Sequence, residues 1–249
     1  MTPLVLCYHA VSDTWPDELA VRAADFERQL RMLLARRFRP VSAREVIDGQ
    51  GRRLHVTFDD AYRTLTTNAV PVLERLGVRA MVFACSAYAR DGRPLDVPEL
   101  SQQLAAHPRE METLSWDGLR ELAERGVEIG SHTVSHPHLP ELSDDALRRE
   151  LEDSRRELED ELGRACPYLA YPYGHDDPRV HRAAARAGYD AAFSLVANPV
   201  AVRDNRFALP RVDLYRKDGA LRAVAKTSAL RPALGRAART LGLAGAARA

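Results

Sequence analysis

Cysteine is scarce. Cys7, Cys85 and Cys166 are widely spaced and odd in number, which excludes a disulfide scaffold and suits buried thiols in a reducing compartment. Long apolar runs are missing too: none approaches the ~20 residues that a membrane span needs. The first apolar stretch, residues 4–7, has no basic region before it and no cleavage site after it. A secretory signal is therefore not expected, and the chain reads as cytoplasmic. Gly/Ser-rich linkers and internal repeats are absent, so one principal domain is the economical reading.

Charge of one sign is also lacking. The net charge is +1, but it is unevenly spread. Residues 219–249 carry six basic side chains (Arg222, Lys226, Arg231, Arg236, Arg239, Arg248) and no acidic one, leaving the preceding body at −5. A body of that sign offers no electrostatic footprint for nucleic acid. The division expected is a catalytic domain over residues 1–218 and a basic, Ala/Leu/Arg-rich helical tail over 219–249. That tail reads either as a solvated extension or as a peripheral contact with an anionic membrane surface, where each basic residue adds about 1 kcal/mol.

What is present is ordinary globular material, 45% apolar and 29% charged, which excludes a disordered or fibrous chain. Its 249 residues are near the length of one α/β barrel or of two small domains. Short β-branched runs at residues 4–7, 54–58, 78–84, 127–129, 168–171 and 191–195 read as strands. Helical spacing marks 26–34, 70–76, 116–125, 143–162 and 178–187, with Gly77, Gly126, Gly163 and Gly188 as stops. Ser115 and Ser143 stand as caps, the latter followed by Asp144 and Asp145 where the helix dipole favours acids. This order predicts an α/β fold with a parallel sheet and surrounding helices. Residues 90–109 break the pattern and read as an excursion.

In such folds chemistry gathers at the carboxyl ends of the strands. Those positions hold Tyr8-His9, Asp59-Asp60, the run from Gly130 to His136, Pro172-Tyr173-Gly174 and, after a strand near Phe207, Arg211. Adjacent residues leaving a strand point apart, so one of Asp59 and Asp60 can bind a metal while the other stays free as a base. The competing reading of the pair is a turn or helix cap. His132 and His136, four apart, suit a divalent metal if a single turn or tight loop brings them together. Pro137 disfavours a longer helix there, and core or surface histidines remain the alternative. Two imidazoles and one carboxylate would leave a position open for water, the pattern of catalytic rather than structural zinc.

Together these residues resemble the polysaccharide deacetylase family, also called carbohydrate esterase family four or the NodB-type domain. Thr57-Phe58-Asp59-Asp60-Ala61 matches its first motif, Thr-Phe-Asp-Asp-Gly. His132-Thr133-Val134-Ser135-His136 matches the second, His-Ser/Thr-x-x-His. Ala170-Tyr171-Pro172-Tyr173-Gly174 matches the third, Arg-x-Pro-Tyr-Gly, imperfectly. The likeness covers about residues 3–215.

The resemblance implies a distorted, TIM-like (β/α) barrel and hydrolysis of an N-acetyl group on an amino sugar, in a cell-envelope or exopolysaccharide glycan or its precursor. It implies a divalent metal, usually zinc, held by Asp60, His132 and His136. Asp59 would be the general base, and the Tyr173 backbone N–H would stabilise the oxyanion. Ala61 replaces a glycine, and is strained if φ is positive there. Ala170 replaces the arginine that orients the base, and Arg211 is the expected substitute. The late motif that supplies a proton-donating histidine is absent, so His9 is the expected acid; a core histidine bonded to backbone is the other reading. A carbohydrate-binding homologue without catalysis, or a metal-dependent hydrolase of another amide or ester, is the alternative function.

Overall fold

The computed structural model describes residues 3–195 and 205–228. Its strands are β1 (Leu4–Tyr8), β2 (Ala10–Val11), β3 (Ala20–Val21), β4 (Arg39–Pro40), β5 (Arg53–Phe58) and β6 (Ala80–Ala84). They continue as β7 (Glu128–Ser131), β8 (Tyr168–Ala170), β9 (Ala191–Ser194), β10 (Leu209–Pro210) and β11 (Val212–Asp213). The α-helices are α1 (Ala23–Ala35), α2 (Ala43–Asp48), α3 (Val70–Leu76), α4 (Ser86–Ala89), α5 (Ser101–Ala106), α6 (Trp116–Glu124), α7 (Asp144–Leu162), α8 (Pro178–Arg186) and α9 (Ala220–Lys226).

The main sheet runs β10-β9-β8-β7-β6-β5-β1-β11, and its ladders are parallel. Only Arg211 separates β10 from β11. One stretch of chain therefore bonds β9 through Leu209 and Pro210 and β1 through Val212 and Asp213, closing the sheet. Counted once, that stretch makes a seven-stranded parallel barrel wrapped in helices, the distorted (β/α) barrel expected. Strands covered on both faces must be apolar throughout, and every residue of β1 and β6 is buried. Leu6, Val56 and Val82 share one core cluster with Phe26 and Leu30 of α1 and Leu73 of α3.

The helix limits follow the capping chemistry of the sequence. Ser115 and Ser143 accept from the amides of Gly118 and Ala146, and Gly77 and Gly163 end their helices at φ 62 and 63. Such a left-handed C-terminal residue suits glycine. The excursion is built from a bridge between Pro94 and Glu112, a 3-10 turn at Pro98–Leu100 and α5. Its Leu95, Val97 and Met111 pack with Trp15, Tyr62 and Tyr88 in a second cluster.

The start of the expected helical tail is α9, which lies on α1 with Ala220 and Ala223 buried. Asp218, itself buried, pairs with Lys226 at 2.5 Å to fix that junction. Arg231, Arg236, Arg239 and Arg248, and with them the expected membrane contact, lie outside the described residues. Among those described, no helix is long and apolar enough to cross a membrane. The three cysteines are free and buried.

One buried histidine of the barrel wall gives a test remote from the rim. His55 on β5 is fully buried; its Nδ1–H donates to the Val41 carbonyl at 2.8 Å, and its Nε2 has no partner. Burial lowers its pKa to about 4. The unfolded chain, with an imidazole near 6.5, thus binds a proton there before the folded one does. The His55 contribution to stability is complete above pH ~6.5 and is lost as pH falls toward 4, at up to about 1.4 kcal/mol per pH unit. Urea midpoints recorded from pH 7 to 4.5 should fall less steeply in His55→Leu than in the parent. Superimposable pH dependences would refute the assignment.

Candidate metal centre

The first motif leaves β5 through two residues in left-handed conformation. The Asp59 amide still belongs to the ladder, donating to the Tyr8 carbonyl at 2.9 Å. Asp60 and Ala61 then adopt φ 68 and 53. Ala61 is thus in the strained case anticipated for a residue replacing glycine, at a cost of roughly 1–2 kcal/mol. Hydrogen bonds on either side hold the turn: Leu114 N–H donates to the Ala61 carbonyl, and Arg63 N–H to the Glu112 carbonyl, both at 2.8 Å. The turn sends the two carboxylates to different partners. Neither caps a helix, so the cap reading of the pair is corrected.

The second motif is a tight loop, not a helical turn, with Thr133 at φ 72 and His136 at φ 64. Its own hydroxyls support it. Ser131 Oγ accepts from Thr133 N–H, and Thr133 Oγ1 from His136 N–H. Glu150 of α7 accepts from the amides of Val134 and Ser135 and from the Ser135 hydroxyl. His132 Nδ1–H donates to the Ala170 carbonyl at 2.8 Å. That bond fixes the tautomer and leaves Nε2 bare, as second-sphere contacts do for metal-binding histidines.

Asp60 Oδ1 lies 3.6 Å from His132 Nε2 and 3.4 Å from His136 Nε2. One ligand atom from each of the three buried residues falls within 4.8 Å of the others. These contacts are not ion pairs. Burial lowers the His132 pKa to about 4 and drives His136 well below its ordinary value, so both imidazoles are neutral near pH 7. Burial, and then the neighbouring Asp59 charge, raise Asp60 to about 8. Asp60 Oδ1 is buried without any hydrogen-bond partner. An orphaned carboxylate oxygen facing two bare imidazole nitrogens fits a divalent cation.

Asp59 has the opposite environment. Both of its oxygens are held by Arg211, at 2.6 Å from Nη1 and 2.8 Å from Nη2, with both side chains buried. The Cys7 thiol donates to Oδ2 at 3.4 Å. Burial alone would raise the Asp59 pKa, but the guanidinium overrides it and keeps the carboxyl well below its usual range. Arg211 also donates to Thr57 Oγ1, whose hydroxyl donates to the Leu6 carbonyl. The expectation that Arg211 takes over at Asp59 matches this geometry.

Tyr173 sits at φ 59 in the turn Pro172–Gly174. Its N–H makes none of the backbone hydrogen bonds found in the described loops. Its ring meets His136 edge-on at 4.6 Å and stacks on His138 at 4.1 Å. The Tyr173 hydroxyl donates to Glu99 at 2.8 Å, and His138 Nε2–H to the same carboxylate at 2.9 Å. His9 is near enough to Asp59 and Arg211 for their charges to act on it, while burial, the larger influence, lowers its pKa. Its Nδ1 is buried without a partner, so the backbone-bonded core reading does not hold for that atom.

The structure thus gathers Asp59, Asp60, His132, His136, Tyr173, Arg211 and His9 at one rim. Sequence reasoning missed Glu99, which no motif marks within the excursion, and left His138 out although it follows His136 by two residues. It also missed Cys7, read only as a buried thiol, and Tyr62, whose buried hydroxyl lies beside Asp60 without a well-formed hydrogen bond.

Comparison with known proteins places this geometry in a family. The polysaccharide deacetylase profile matches residues 47–192. YxkH of Bacillus subtilis (strain 168), whose name is that of a polysaccharide deacetylase, is 23% identical over 215 residues, 84% of this chain and 70% of its own. The Streptococcus pyogenes deacetylase PplD, solved with acetate, superimposes with a TM-score of 0.73 at 20% identity, over 92% of this chain and 99% of that one. A de-N-acetylase from Aggregatibacter actinomycetemcomitans gives a TM-score of 0.73 at 18% identity, over 90% and 99%. At those identities the solved structures speak for the barrel alone. The profile, however, spans more than half of the chain and takes in both acidic residues and both histidines of the centre, and on that ground the chain belongs to the polysaccharide deacetylase family.

Proposed function

We propose that this chain is a metal-dependent N-deacetylase. It removes the acetyl group from an amino sugar of a cell-envelope or exopolysaccharide glycan or its precursor. One observation carries the reading: two adjacent buried carboxylates have been driven to opposite states. Asp60 leaves Oδ1 without a hydrogen-bond partner beside two neutral imidazoles, and Asp59 is gripped by Arg211 outside that cluster. A site built only to bind sugar has no use for the second. Two structures of the same fold lend the reading support, one named a de-N-acetylase and another solved with acetate, the product of such a cleavage.

In this reading Asp60, His132 and His136 hold the cation, zinc by the character of the donors. When bound, it supplies Lewis acidity that lowers the pKa of a water molecule and polarises the amide carbonyl. Asp59 takes the proton of the attacking water on Oδ1, which keeps a lone pair beyond its bond to Arg211, whereas Oδ2 also accepts from Cys7. Arg211 keeps that carboxylate ionised and fixed in direction. The Tyr173 N–H donates to the oxyanion as the carbonyl carbon becomes tetrahedral. His9 passes to the leaving nitrogen the proton that Asp59 took from the water; because burial lowers its pKa, it hands that proton on rather than keeping it. Acetate and a free amine are the products.

Metal binding is measurable apart from turnover. Calorimetric titration with zinc should show one ion per chain. At pH 7 the metal-free Asp60, with a pKa of about 8, is mostly protonated, so binding should release close to one proton, seen as a dependence of the enthalpy on the buffer. The release should fade above pH ~9, and Asp60→Asn should lose both binding and buffer dependence. Full affinity in Asp60→Asn would rule this ligand out.

Turnover is tested by acetate release from a panel of N- and O-acetylated sugars, with and without chelator. Release from N-acetyl substrates should stop with chelator. Asp59→Asn should lose roughly 10²–10⁴-fold, the usual contribution of a positioned base, while still binding one zinc. Arg211→Lys, which cannot make the two-pronged contact, should lose activity in the same direction. Undiminished release from Asp59→Asn, or release indifferent to chelator, would overturn the reading. Tight sugar binding with no release would favour the binding homologue.

A further inference from the structure

The excursion between α4 and α6 carries no motif, yet it places one carboxylate on the rim of the metal centre. Glu99 stands in the 3-10 turn Pro98–Leu100, on a firm base. Val97 before it is buried in the cluster that holds Trp15 and Tyr62, and the Tyr88 hydroxyl donates to the Asp96 carbonyl at 2.8 Å. From there Glu99 receives two hydrogen bonds, from the Tyr173 hydroxyl at Oε2 and from His138 Nε2–H at Oε1. The hydrogen bonds from His138 and Tyr173 bring its pKa down to about 2, so it remains an acceptor-only carboxylate. On its other side, His138 Nδ1 lies 3.1 Å from His175 Nδ1. The two rings that Glu99 grips are stacked on each other, 4.1 Å apart and 11° from parallel.

Tyr173 needs such a grip. It holds φ 59 and ψ 3, a conformation that is strained for an L-residue and survives only where its surroundings impose it. Released, the Tyr173 peptide would relax toward negative φ and its N–H would turn away from the direction it now has. The ring cannot follow that rotation while its hydroxyl is bound to Glu99, one face is covered by His138 and an edge meets His136. We infer that Glu99 is a positioning residue: by holding the Tyr173 ring it fixes the strained backbone whose N–H serves as oxyanion donor. The inference rests on the deacetylase reading for what that N–H does, but not for the coupling itself. It also makes the excursion, which carries none of the motifs, an element to which the proposed oxyanion donor is mechanically tied.

Hydrogen–deuterium exchange of the peptide covering residues 171–175 reads the coupling without substrate. Glu99→Ala and Tyr173→Phe should both speed that exchange, with zinc affinity kept within about twofold. On an acetylated sugar that the parent hydrolyses, Glu99→Ala should lower kcat by about tenfold or more, short of the ~10²–10³ that deleting an oxyanion donor costs, with KM little changed. Because Glu99→Ala and Tyr173→Phe remove the same bond, the double variant should lose little more than the worse single one. Faster exchange supports the inference even where no sugar is turned over, an outcome that would sink the deacetylase reading alone. Unchanged exchange in Glu99→Ala overturns it whatever the activity, as would losses that simply add in the double variant.

Discussion

The bidentate contact between Arg211 and Asp59 is the interaction on which the rest of the rim depends. Neither group could be buried by itself: an uncompensated charge in the interior costs several kcal/mol, and removing one member of such a pair typically costs 3–5 kcal/mol. Arg211 is also the single residue separating β10 from β11, the stretch that bonds both β9 and β1. Closing the barrel and ionising Asp59 are therefore one event. The consequence passes to Asp60. Away from water and next to a permanent negative charge, its carboxyl is raised to about 8, and in the proposed function a cation shared with His132 and His136 would restore it to the ionised form.

Backbone strain is concentrated at the same place. Of the six non-glycine residues at positive φ among those described, Asp60, Ala61, Thr133, His136 and Tyr173 belong to the three motifs, and only Arg37 lies elsewhere. Such conformations persist where neighbouring contacts over-determine them. Here the contacts are particular: Leu114 and Glu112 around the first turn, Ser131, Thr133 and Glu150 around the second, Glu99 and His138 around the third. In the proposed function the motif residues supply the chemistry, and residues mostly outside the motifs hold it in shape.

That division explains what could be read from the sequence. Helices such as α3, α6 and α7 were legible to within a residue because capping serines, stop glycines and apolar spacing all act locally. The adjacent acids and paired histidines were legible because their types and order are those a divalent-metal site would demand. The closing strand was expected near Phe207, and no extended apolar run betrayed the two short segments on either side of a buried arginine. Glu99 could not be found at all. Its partners Tyr173 and His138 are distant in sequence, and nothing local distinguishes it from the other acids of a solvated loop. The second motif shows the same limit in milder form: the spacing of His132 and His136 suits a single turn or a tight loop, and the hydroxyl and Glu150 contacts hold the loop with Thr133 and His136 left-handed.

Ala170 and Arg211 show how a departure from a motif can be compensated by packing. In the third motif of the family an arginine would stand at position 170, on β8. Here that position is an alanine, buried in a cluster with Phe83 and Phe193, while its carbonyl still fixes the His132 ring. The Arg211 guanidinium lies 5.5 Å over the Phe83 ring, entering the same aromatic layer from the closing strand. A large side chain at 170 would compete for that layer and place a second guanidinium where there is one carboxylate to neutralise it. The small residue and the relocated arginine are thus two halves of one solution. The physical requirement they satisfy is a single buried cation with a two-pronged grip on Asp59, and the barrel leaves open which strand delivers it.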